Sequence, residues 1–172
     1  MVLRKFGAAL ALALLLPHVA MAQEAGTATG SLTIVQPLTI TKDADLRFGS
    51  IVKPSASGSV AISTAGARSV SDGVQALSAG DTPQAARFTV SGAVGHALSI
   101  QIPASITLNS GTHALLVTTT NNLSGGPDGQ ILGGTHDSSG SLEVRVGGSV
   151  ALASSTEPGI YTGVLTVSAA YN

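Results

Sequence analysis

The chain has 172 residues, with eight basic and nine acidic side chains and no cysteine. The lack of cysteine excludes disulfides, thiolate metal sites and cysteine redox chemistry. The basic residues after the leader (Lys42, Arg47, Lys53, Arg68, Arg87, Arg145) form no cluster, and the chain holds two Tyr, three Phe and no Trp. Nucleic-acid binding calls for a basic stripe and stacking aromatics, so it is excluded. An anionic membrane surface is disfavoured for the same reason.

In chain order, the first segment reads as an export signal. Arg4 and Lys5 precede an apolar run from Gly7 to Leu16, Pro17 breaks it, and Ala20-Met21-Ala22 supplies small residues for a signal peptidase. The run is shorter than the roughly 20 residues a membrane-spanning helix needs, so no direct membrane insertion is expected. Cleavage after Ala22 leaves 150 residues starting at Gln23. That length suits one compact domain with a core that needs no staples. Loss of Arg4 and Lys5 leaves six basic residues against nine acidic, a formal charge of −3. Only 10% of residues are charged, which fits a surface covered by neighbours or a robust extracellular β protein.

Residues 23–36 form an extended arm. Thr27 to Val35 is charge-free and alternating, with Ala28, Gly30, Leu32 and Ile34 on one face. Pro37 then interrupts any ladder, which marks a boundary with a body spanning 37–172. Within the body, period-two alternation recurs in Leu38/Ile40, Leu46/Phe48 with nearby Ile51, Val60/Ile62, Phe88/Val90 and Leu98/Ile100/Ile102. It continues in Ile106/Leu108, Leu115/Val117 and Leu142/Val144/Val146, where Glu143 and Arg145 point to water. Turn residues separate these runs at Pro54 to Gly58, Asp72-Gly73, Asn109 to Gly111 and Gly147-Gly148. Asp72 to Ala79 has some helical potential, cut short by Gly73 and Gly80. Asn121 to Gly140 reads as a long loop, with Ile131 and Leu132 as points where it is pinned to the body. Many short, evenly spaced strands predict an all-β, antiparallel sandwich. A transmembrane barrel would need longer strands and aromatic girdles.

The last segment predicts a long strand. Tyr161, Gly163, Leu165, Val167 and Tyr171 share one face, and Thr162, Val164, Thr166 and Ser168 the other. With no strand on its far side, its backbone edge is left unpaired beside an apolar groove. The arm is a candidate filler, by donor-strand complementation between subunits. An ordinary first strand, paired within its own domain, is the alternative.

Gly159 to Tyr171 resembles the final strand of pilins assembled by a periplasmic chaperone and an outer-membrane usher, most closely the spore-coat-U/Csu-type branch. Leu46-Arg47-Phe48-Gly49-Ser50-Ile51 is similar to a stretch near the start of those domains. The body as a whole resembles a related family of short secreted proteobacterial proteins, catalogued as a domain of unknown function. The resemblance implies an incomplete immunoglobulin-like fold. It also implies a role for Tyr171 and the final strand in engaging the chaperone, and partnership with an usher and with other copies or related subunits. The expected product is a fimbrium-like fibre at the cell surface, reached through the periplasm.

No residue pattern points to catalysis, a metal or a cofactor. His96, His113 and His136 are dispersed, and His136-Asp137-Ser138 is a triad only in its letters. Asp43-Ala44-Asp45 is too poor in oxygen ligands for calcium and reads as a turn. Gly125 to Gly129 lacks the Lys-Ser/Thr of a phosphate loop, and Asn122-Leu123-Ser124 matches a glycosylation sequon. A non-enzymatic structural subunit is the expected function. A self-complete sandwich that binds a ligand or glycan is the alternative, with the scarcity of aromatic platforms against it.

Overall fold

The computed structural model describes residues 24–78, 80, 82–133 and 139–172. The predicted signal, Gln23 and the His136-Asp137-Ser138 triplet lie outside them. The chain divides into two units, Met1–Thr33 and Ile34–Asn172. In the first, Glu24 to Thr33 is exposed and carries no strand.

The second unit is all-β among its described residues. Its strands are β1 (Thr39–Ala44), β2 (Ile51–Val52), β3 (Gly58–Ile62), β4 (Arg68–Ser71), β5 (Gln75–Ala76) and β6 (Ala86–Ala93). They continue with β7 (Ala97–Gln101), β8 (Ser105–Ser110), β9 (His113–Asn121), β10 (Gln130–Ile131), β11 (Ser139–Leu152) and β12 (Ser168–Tyr171). All pairings are antiparallel. Seven strands form a curled sheet in the order β1-β6-β11-β3-β4, with β9 on the other edge of β11 and β8 beyond it. A second sheet runs β10-β7-β12, and β2 pairs with β5. The fold is therefore the predicted β-sandwich, and the predicted helical potential from Asp72 gives way to a turn and β5.

The organising strand is β11. Its first half, Ser139 to Val146, pairs with β6. Its second half pairs with β3 on one edge and β9 on the other. The strand thus exchanges β6 for β3 along one edge at Gly147-Gly148, while β9 joins the other edge from Val146, which corrects the expectation of a turn there. The two glycines serve close approach rather than reversal. A Cβ on Gly147 would collide with the Ile62 carbonyl oxygen, and one on Gly148 would lie 2.9 Å from the Thr118 carbonyl oxygen. A true tight turn occurs at Gly111, φ +58°, between β8 and β9.

Alternation places the core. Val90, Leu98, Ile100, Val144 and Val146 are fully buried, with Leu132 holding the long loop down as expected. Ile131 beside it is exposed and instead pairs through its backbone with Ala97. The core falls into two clusters, one around Val90, Leu98 and Val144, the other around Val60, Val117 and Val150. Leu46 and Leu165 pack against both clusters. Asp43 and Ala44 belong to the end of β1, at an irregularity in its register, rather than to a turn.

Candidate functional site

An open apolar cavity of about 840 Å³ lies between two segments that carry few ladder bonds of their own. One wall is Leu46 to Pro54. The other is Thr156 to Leu165. The floor is built from distant strands and includes Val60, Phe88, Ile106, Val150 and Leu152.

Each wall is fastened from behind. Arg47 exchanges two backbone hydrogen bonds with Gln84, and Ile51 and Val52 pair with β5. Arg68 donates from its guanidinium to the carbonyls of Phe48 and Leu77, at 3.3 and 2.9 Å. Gly49 has φ +78°, and a Cβ there would strike the Arg68 guanidinium. The opposite wall is tied to β8 through reciprocal backbone bonds between Asn109 and Thr162, at 2.7 and 3.0 Å. A Cβ on Gly163 would meet the Thr107 carbonyl oxygen, so glycine lets this wall lie close to β8. Tyr161 donates its hydroxyl to the Glu157 carbonyl at 2.9 Å.

The predicted strand from Tyr161 to Tyr171 is thereby redefined. Only Ser168–Tyr171 forms a ladder, with β7, and Thr162 a single bridge with Asn109. Gly163 to Val167 joins no ladder. Tyr161, Leu165, Val167 and Tyr171 are half-buried on one face, while Val164 on the other is 80% exposed. Of the arm residues Ala28, Gly30, Leu32 and Ile34, all are exposed and none lies in a strand; Leu32 and Ile34 are 85% and 86% accessible.

Charge is confined to the rim. Lys53 and Glu157, from opposite walls, approach to 4.0 Å. Lys42 reaches Asp45 at 2.8 Å and Arg47 lies 3.7 Å from it. The hydrogen bond from Lys42, its charge and that of Arg47 hold the Asp45 carboxyl below its ordinary range. Asp43 instead accepts from the Thr89 hydroxyl at 2.8 Å. The two carboxylates therefore serve separate partners rather than one shared ligand. The described residues contain no group of three or more metal-ligating side chains.

Tyr171 lies beyond the groove. Its hydroxyl donates to the Gln36 carbonyl at 2.8 Å and accepts from the Ala93 amide at 2.6 Å. Ser139 donates to the Gln36 side-chain oxygen at 2.7 Å, and the Tyr171 ring meets His96 edge-on at 5.9 Å. Gly92 leaves room for the phenol, since a Cβ there would collide with the hydroxyl. These bonds fasten the body at Gln36, where the predicted arm ends. Replacing Tyr171 with Phe leaves a backbone amide and a carbonyl without this partner. We expect a loss of about 1 kcal/mol, read as a lower urea midpoint with unchanged slope.

Sequence reasoning singled out the second wall and described Leu46 to Ile51 as a short segment. It did not assemble the floor, because Val60, Ile106 and Val150 meet only through non-local pairing. The site and fold define an antiparallel β-sandwich whose core is open along one side. The chain belongs to the family described as Domain of unknown function (DUF4402), which matches residues 38–171. Neither the curated proteins nor the solved structures offer a match.

Proposed function

We propose that the protein is a non-enzymatic structural subunit of a surface fibre, and that the groove receives an extended strand from another copy. The observation that carries this reading is the groove itself: an apolar floor under two walls with no ladder between them. Burying a Leu or Ile side chain stabilises by about 1.5–3 kcal/mol, and a strand also satisfies wall amides and carbonyls. A small-molecule pocket of this size usually adds convergent polar groups to its apolar lining. Here the charged side chains at the rim pair with one another, which favours a strand over a ligand or glycan.

Thr27 to Val35 suits the role, being charge-free, with Leu32 and Ile34 two residues apart on an exposed segment. Export by residues 1–22 would deliver the subunit to the periplasm. There a chaperone would cover the groove, and an usher would pass the subunit to the surface.

The test is to delete residues 23–35, keeping Gln36 because Tyr171 and Ser139 hold it. Electron microscopy of sheared cell surfaces should then show no fibres, while the truncated subunit accumulates in the periplasm bound to a chaperone. Fibres of normal length from the truncated protein would sink the donor role.

A further inference from the structure

The outer face of the curled sheet divides sharply by charge. On the first half of β11 it carries Glu143 and Arg145, with Arg87 of β6 directly opposite Arg145. Past Gly147 the same face of the strand carries Ser149 and Ala151. The change extends sideways. Cross-strand register puts Ser69, Ala61, Ser149, Thr118 and Ser105 in one row across β4, β3, β11, β9 and β8. The neighbouring row runs Ser71, Ser59, Ala151. Toward β8, Leu116 stands opposite Thr107 and is 63% exposed.

Among these strand segments the one Asp, Glu, Lys or Arg is Arg68. It stands opposite buried Ile62 and turns to the carbonyls of Phe48 and Leu77, so it leaves the outer face neutral. At strand spacings of about 4.8 Å the five-residue row spans about 20 Å. This charge-free, hydroxyl-bearing surface contrasts with the neighbouring part of the same sheet, where Arg87 and Arg145 both pair with Glu143.

We propose that this face packs against the same face of a second copy of the chain. The chemistry narrows the occupant. A charged partner surface would lose its hydration against a face with no counter-charge. A purely apolar one would leave serine and threonine hydroxyls buried without partners. A surface of the same kind satisfies both demands, because a hydroxyl donates once and accepts twice. The face already shows this pairing internally, with Ser59 Oγ and Ser71 Oγ 2.9 Å apart. Polysaccharide also offers hydroxyls, but sugar sites use aromatic platforms, and no Phe or Tyr occurs in these strands. Repetition along a fibre would strengthen the contact between copies through multivalency, binding fibres side by side.

The experiment uses the full mature chain carrying Leu32→Asp and Ile34→Asp, which disables the arm without touching this face. Sedimentation velocity should show a reversible, salt-insensitive monomer–dimer equilibrium. Thr118→Lys or Thr118→Asp alone should weaken it at least about tenfold, a change of about 1.4 kcal/mol. An equimolar mixture of the two variants should associate more tightly than either variant alone, because unlike charges then share one interface. Thr118 is exposed, so unchanged thermal melts would show that both variants fold. Three results would overturn the proposal: a monomer at every concentration, a dimer indifferent to both substitutions, or binding to soluble polysaccharide without self-association. Failure of the groove reading is a separate outcome, seen as fibres that persist despite the arm substitutions while the Thr118 results stand.

Discussion

A synthetic peptide of residues 24–36 is expected to raise the melting temperature of the chain carrying Leu32→Asp and Ile34→Asp by about 5–10 °C. The estimate follows from linkage. A ligand that binds only the folded state at 100 times its dissociation constant stabilises by about 2.7 kcal/mol. A domain of about 150 residues gains about 2–4 °C for each kcal/mol. The physical source is the split core. Leu46 and Leu165 each touch both clusters, but they stand on opposite walls of the cavity. A strand laid between them would bury its alternate side chains on Val60, Phe88 and Ile106 while its backbone pairs with the unladdered stretch from Gly163 to Val167. A peptide with Leu32→Asp and Ile34→Asp would place carboxylates over that floor and should give no shift. Equal shifts from both peptides, or none from either, would remove the groove as a strand-binding site. Differential scanning calorimetry makes the measurement, and the shift should persist at high salt, because the floor is apolar.

Much of this was legible from alternation. The buried positions Val90, Leu98, Ile100, Val144 and Val146 are the ones that period-two reading assigns inward, because one face of each strand meets a core. Strand β4, by contrast, is Arg68-Ser69-Val70-Ser71. It offers a single apolar residue, so no pattern announces it; pairing with β3 makes it a strand. The C-terminal segment shows the opposite case. Its alternation from Tyr161 to Tyr171 is strong, yet a ladder forms only over Ser168–Tyr171. A pattern of side chains states which face is buried. It does not state whether the backbone edge has a partner, and that distinction is what defines the groove.

The neutral face was invisible for a related reason. Ser, Thr and Ala at alternate positions read as ordinary solvent-facing residues in any one strand. Their meaning comes from the row that joins Ser69, Ala61, Ser149, Thr118 and Ser105, residues up to 88 positions apart. The floor of the groove has the same origin. Val60, Ile106 and Val150 each read as core; only the pairing of β11 with β3 and with β9, and of β9 with β8, brings them together.

Gly147→Val is expected to cost at least about 3 kcal/mol, the upper range for overpacking at a site that cannot relax. Glycine here punctuates nothing. Gly147 sits inside a continuous strand, and a side chain would enter the space of the Ile62 carbonyl oxygen and the Ser63 carbonyl carbon. Both are backbone atoms, so rotamer changes cannot relieve the clash. The β-branched side chain adds bulk without a pocket to receive it. The consequence extends beyond stability, because Gly147 is where β11 takes β3 as its partner. Displacing β3 moves Val60, the buried residue of that strand in the groove floor. The variant should therefore melt lower and also lose the stabilisation that the arm peptide gives. Gly133→Val supplies the control, since nothing lies within 4 Å of a Cβ there and its φ is not in the left-handed region. It should change the melting temperature little and leave the peptide response intact. A Gly147→Val chain that melts normally would mean that β3 and β11 do not approach as closely as this strand switch requires. One that is destabilised yet responds fully to the peptide would separate the groove from the β3 pairing.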